Sequence, residues 1–169
     1  HMTNTRNAPV EAIEVAYPLR VESYELVPDS EGAGEYRGGV GLRRTLRVDG
    51  EPVQLTLSSD RGEVQPWGLF GGMPARTSRC VVTGPDGDER RLPSKITTRI
   101  EPDHVIVTET PGGGGWGDPR RRDADAVRHD VLEGLVSLQR AREVYGVALD
   151  PETMAVDRTQ TRHLRSGGR

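Results

Sequence analysis

The sequence predicts a mainly β fold, a sandwich or partly open barrel, closed by a small C-terminal helical hairpin. Three observations lead there. Glycine (21) and proline (12) are abundant in 169 residues while only 33% are apolar, a balance that favours many turns over a helical bundle. Short runs up to Glu109 carry apolar residues at a spacing near two. Beyond Pro119 the spacing changes to three and four.

Taken in order, Val10–Val15 fits either a strand or a short helical turn, because Val10, Ile13 and Tyr17 also fall three to four apart. Leu19–Leu26 alternates cleanly. Leu42–Val48 and Pro52–Ser58 alternate on either side of Asp49-Gly50, the strongest short hairpin signal in the chain, and so predict a hairpin. Arg79–Val82 and Arg90–Pro93 flank the turn Gly84–Asp88. Lys95–Ile100 and His104–Glu109 are β-branched runs around Glu101-Pro102-Asp103, which brings the count to roughly eight strands. Asp123 then caps a helix with Val127, Val131, Leu132 and Leu135 on one face, and Ser137 caps a second that Gly146 ends. Asp157 caps a last turn. The division expected is a tag and disordered start over 1–8, a β-rich domain over 9–119, a helical hairpin appendage over 120–149 and a tail over 150–169. His1-Met2 reads as a cloning scar.

Charge and composition exclude several classes. A formal net charge of −3, with Arg120-Arg121-Arg122 as the one dense basic cluster, argues against nucleic-acid binding; that cluster reads as a solvated turn. No apolar run approaches the roughly 20 residues of a membrane span, and no secretory leader is visible, so a cytoplasmic protein is expected. The lone Cys80 rules out an intrachain disulfide and reads as a small buried hydrophobe. His104, His129 and His163 lack metal-ligand spacing, and no metal site is expected in this chain.

Two glycine segments each enclose a tryptophan. Gly112–Gly115 with Trp116 lies between Pro111 and Pro119, and Pro66–Pro74 holds Trp67, Gly68, Gly71 and Gly72. Four consecutive glycines are costly to order unless the backbone must approach something closely. A phosphate loop would end in Gly-Lys-Ser/Thr, and this one does not. Glu109, at the end of the last strand, is a candidate general base, with a purely structural carboxylate as the rival reading, and Lys95 is a candidate catalytic point charge for a carboxylate or phosphate, with a structural ion pair as its rival. Asp60-Arg61, Trp67, Gly112, Gly113, Gly114, Gly115 and Trp116 are the candidate substrate-binding residues. Ser58, Ser59 and Ser94 sit in no nucleophile-elbow context.

The segments Ala12–Val21, Tyr36–Gly41, Ser59–Arg61, Pro66–Gly72, Leu92–Lys95 and Thr110–Pro119, taken together, resemble the carboxy-terminal part of the hydantoinase B / 5-oxoprolinase family. That family includes subunits of acetone and acetophenone carboxylases and of caprolactamase. The likeness runs in one order from about Asn7 to Leu149. It implies an A-type subunit that uses ATP to phosphorylate an amide or ketone, and a metal-bearing B-type subunit that takes the activated intermediate to hydrolysis or carboxylation. It also implies a long upstream part that holds the metal ligands. ATP and a divalent metal are therefore expected on partner subunits, hydantoinase A-like and truncated hydantoinase B-like, with none in this chain. Two other classes stay open: a non-catalytic binding or assembly module, and a small stand-alone β-fold lyase or cyclase.

Overall fold

The computed structural model describes residues 7–167; most of the expected disordered start and the last two residues of the tail lie outside the described residues. Seven strands and four α-helices follow one another: α1 (Val10–Ala16), β1 (Leu19–Val27), β2 (Gly41–Val48), β3 (Val53–Ser58), β4 (Arg79–Thr83), β5 (Glu89–Leu92), β6 (Lys95–Ile100), β7 (Val105–Glu109), α2 (Ala124–Leu132), α3 (Leu138–Glu143) and α4 (Arg158–Ser166). The mainly β class predicted from sequence is the one found. The eighth predicted strand is α1, the ambiguous run, which directly follows Pro9 and buries none of its residues. No helix among the described residues is long and apolar enough to cross a membrane.

The chain forms two compact units, each assembled from separated stretches. The first takes the stretch through Glu25, Arg43–Ser59 and Arg79–Thr108. Its strands belong to a five-stranded sheet, ordered β1-β2-β7-β4-β5, and a two-stranded sheet, β3-β6. The expected β2–β3 hairpin is not formed. Asp49-Gly50 does turn, with Gly50 at φ 77°, but β2 already has β1 on one side and β7 on the other. Pro52, which has no N–H to donate, opens the return, and β3 pairs instead with β6 from Val53↔Ile100 to Ser58↔Lys95. The turn at Glu101-Pro102-Asp103 is likewise a crossing between sheets, with Asp103 at φ 64°. Val48, Cys80, Val82, Leu92, Ile100 and Ile106 fill the space between the sheets, so the unit is a sandwich rather than a barrel. Cys80 is 2% exposed, as a small hydrophobe should be, and burial pushes its thiol up.

The second unit comprises Leu26–Leu42, Asp60–Ser78 and the chain from Glu109 onward. Its helices begin where the sequence places caps: Asp123, Ser137 and Asp157 accept from the first-turn amides of α2, α3 and α4. Val127, Val136, Ala141, Tyr145 and Val147 form its core with Ala33, which comes from the loop after β1. Two buried carboxylates fasten this loop to the helices. Glu31, fully buried, takes Arg140 Nε at 2.7 Å and the Tyr145 hydroxyl at 3.0 Å on the same oxygen. Asp130, 3% exposed, accepts from Arg37 Nε at 2.8 Å and from Arg122 at 2.9 Å. The arginine run is thus only partly the solvated turn expected, because Arg122 is consumed by this buried pair while Arg121 remains exposed.

Candidate functional site

Glycine-rich segments converge in the second unit, and the reason is steric. A Cβ on Gly114 would collide with the Trp67 carbonyl, one on Gly38 with the Gly113 carbonyl, and one on Gly72 with that of Gly115. Segments 30–41, 66–73 and 110–117 therefore pack backbone on backbone, a separation that no side chain permits. Their amides are used in the same contacts. Gly113 donates to Gly39 O at 2.8 Å, Gly115 to Met73 O at 3.0 Å and Gly117 to Leu69 O at 2.9 Å. The glycines have an ordered role in the fold, with these three amides turned toward protein carbonyls.

Trp116 is the middle strand of a miniature three-stranded contact. It bridges Tyr36 in antiparallel fashion, through bonds of 2.9 and 3.0 Å, and Leu69 in parallel fashion. A directly opposed antiparallel pair projects its side chains to the same face. The Tyr36 and Trp116 rings accordingly meet edge-on, with centroids 5.5 Å apart. Phe70 joins them from the next loop, its ring 5.6 Å from Trp116. Three aromatic rings are packed together and yet open to solvent: Phe70 is 79% exposed, Tyr36 65% and Trp116 44%. Phe70 also sits at φ 51°, where a bulky residue is strained. Sequence reasoning singled out Trp116 and missed Phe70 and Tyr36; the signal present was an aromatic set against Gly71-Gly72 and another against Arg37-Gly38-Gly39.

The remaining predicted residues divide between the units. Asp60, exposed, and Arg61, half-buried, enter the loop that carries Trp67, and the Arg61 guanidinium lies over the Trp67 ring, 5.1 Å from its centroid. Trp67 is 64% exposed. Glu109 ends β7 and is buried, and it opens the stretch leading into the tetraglycine. Lys95 belongs to the first unit, exposed at the start of β6 and opposite Ser58. Among the described residues no group of three His, Cys, Asp or Glu stands close enough to hold a metal. His104 Nδ1 lies 3.1 Å from Pro102 O, and His129 and His163 are on helix surfaces. Burial, then the neighbouring Glu31 carboxylate, push the Tyr145 hydroxyl far above the phenol range; it stays a hydrogen-bond donor and offers no base.

Comparison with known proteins agrees with the fold. The sequence profile of Hydantoinase B/oxoprolinase matches residues 1–119. A putative D-/L-hydantoinase of Pseudomonas sp. (strain NS671) has a B-type chain that is 33% identical over 166 residues, which is 96% of this chain and 27% of that protein. The nucleotide-free structure of acetone carboxylase superposes with a TM-score of 0.82 at 26% identity, covering 95% of this chain and 26% of that one. The ATP-dependent caprolactamase from Pseudomonas jessenii superposes at 0.80 with 30% identity, covering 94% and 28%. The chain spans about a quarter of the length of these relatives.

Proposed function

Because the chain belongs to the Hydantoinase B/oxoprolinase family, we propose that it is the carboxy-terminal module, or a separately encoded subunit, of an ATP-dependent amidohydrolase or carboxylase complex. It works beside a hydantoinase A-like subunit and a truncated hydantoinase B-like subunit, which bring ATP and the divalent metal. Relatives of caprolactamase and acetone carboxylase type support this reading.

One observation carries the proposal that the module docks through its glycine-supported face. Tyr36, Phe70 and Trp116 form an aromatic cluster that is held by backbone packing, strained at Phe70, and left in water. Exposed aromatic clusters on rigid supports are what protein interfaces use as anchors. The occupant is the portion of the B-type polypeptide that makes up the other three quarters of the relatives. Asp60, Arg61, Trp67 and the glycines 112–115 would then border the substrate passage, with Glu109 and Lys95 as the charged groups to test for a catalytic part.

Reconstitution tests this directly. ADP release coupled to turnover of a cyclic amide or ketone is measured for the A-type and truncated B-type subunits with and without this chain. Turnover that needs all three is expected; turnover by this chain alone, or by the partners alone at the full rate, contradicts the proposal.

A further inference from the structure

A cleft of about 560 Å³ opens in the second unit between the 119–121 turn, the start of α2 and the helix α4. Four arginines line it, Arg121, Arg158, Arg162 and Arg165, against a single carboxylate, Asp123. The three from α4 stand at positions i, i+4 and i+7, one stripe along the helix. Like charges on such a stripe repel unless something of opposite sign lies between them.

The protein supplies only part of that compensation. Arg158, at the rim, is paired with Asp125 at 2.7 Å, and Arg121 leans to Glu35 at 3.5 Å. Asp123 spends its Oδ1 on the amides of Asp125 and Ala126. Arg165 is half-buried, held by carbonyls of Tyr145 at 3.2 Å and Arg122 at 2.7 Å. Burial pushes its guanidinium down, more than Asp123 and Asp118 push it up. Arg162 bonds only its Nε, to the Arg158 carbonyl at 3.2 Å. Among the described residues, neither Arg162 nor Arg165 has a carboxylate in ion-pair reach, and the outer nitrogens of Arg162 have no partner. Guanidinium forks match the paired oxygens of a phosphoryl group better than any other side chain does. The volume is that of a small-molecule site.

We propose that this cleft binds a multiply charged phosphate-class oxyanion, either a free inorganic species or the phosphoryl group of an ester, gripped by Arg162 and Arg121 over a floor set by Arg165. The site is independent of the aromatic face and of the complex proposed above.

The test is calorimetric titration of the purified chain at low ionic strength with pyrophosphate, with a nucleoside monophosphate and with a polyglutamate peptide. Arg162→Ala is the diagnostic variant, since Arg162 is exposed, bonds only within its own helix, and alanine is the better helix former. Arg142→Ala is the control, an exposed arginine on α3 that bonds Gln160 outside the cleft. Saturable one-to-one binding of pyrophosphate or the monophosphate is expected, weakened at least tenfold in Arg162→Ala and unchanged in Arg142→Ala. The tighter of the two ligands distinguishes a free anion from an ester. No saturable binding, equal loss in both variants, or tighter binding of polyglutamate than of either phosphate overturns the proposal; the last result would make the cleft a protein-docking surface.

Discussion

Phe70 holds φ at 51° while its ring stays 79% exposed, so the fold bears strain and gains little burial from that side chain. A left-handed backbone costs a bulky residue about 1–2 kcal/mol, and its contact with Trp116 returns about 0.5–1.5 kcal/mol. Asparagine adopts that conformation readily. Phe70→Asn is therefore expected to change the unfolding free energy by no more than about 1 kcal/mol in a urea titration. Asp130 is the opposite case. Removing it leaves Arg37 and Arg122 facing a buried void, and Asp130→Ala is expected to lower stability by about 3–5 kcal/mol. Arg99→Ala, which breaks an exposed pair with Glu101, is expected to change it by about 0.5 kcal/mol or less. Cys80 reports on the sandwich. Folding raises its pKa, so the folded state holds that proton more tightly than the unfolded chain, and stability falls as pH climbs through and beyond the ordinary thiol range. At pH 8 a thiol reagent is expected to label Cys80 only at the rate of unfolding; immediate labelling of the native protein would contradict its burial.

At the scale of elements, the glycine segments make the sharpest prediction. Gly114→Ala drives a Cβ into the Trp67 carbonyl, whereas a Cβ on Gly39 meets nothing within 4 Å. The first is expected to destabilise by about 1–3 kcal/mol or more and the second by a few tenths at most, both measured by thermal melting. Element identities were legible because alternation, caps and breakers are local: β1, the β4–β5 hairpin, and the caps Asp123, Ser137 and Asp157 all follow from neighbouring residues. Pairing was not. Asp49-Gly50 signals a reversal correctly, but which strand β3 meets depends on both edges of β2 being taken, and that is a property of β1 and β7, not of the turn. The ambiguity of Val10–Val15 has the same origin, since α1 buries nothing and only burial would have fixed its period.

For the whole molecule, the tetraglycine and both tryptophans were visible from composition alone, because such sequences are unstable without a close backbone partner. Phe70 and Tyr36 were not singled out, since exposure and ring contact are created by the three segments meeting. Nor were the buried carboxylates Glu31 and Asp130, whose arginines Arg140 and Arg37 lie 109 and 93 residues away along the chain. The chain matches relatives about four times its length, and the exposed rings of Tyr36, Phe70 and Trp116 stand beside glycine segments packed backbone on backbone. That surface is the one proposed above to dock the B-type polypeptide. The most direct measurement is size-exclusion chromatography with light scattering of this chain mixed with the truncated hydantoinase B-like polypeptide, using the native sequence and the double variant Phe70→Asn/Trp116→Ala. A stoichiometric complex with the native chain, lost in the folded double variant, is the predicted result; the same complex with both, or none with either, contradicts docking through this face.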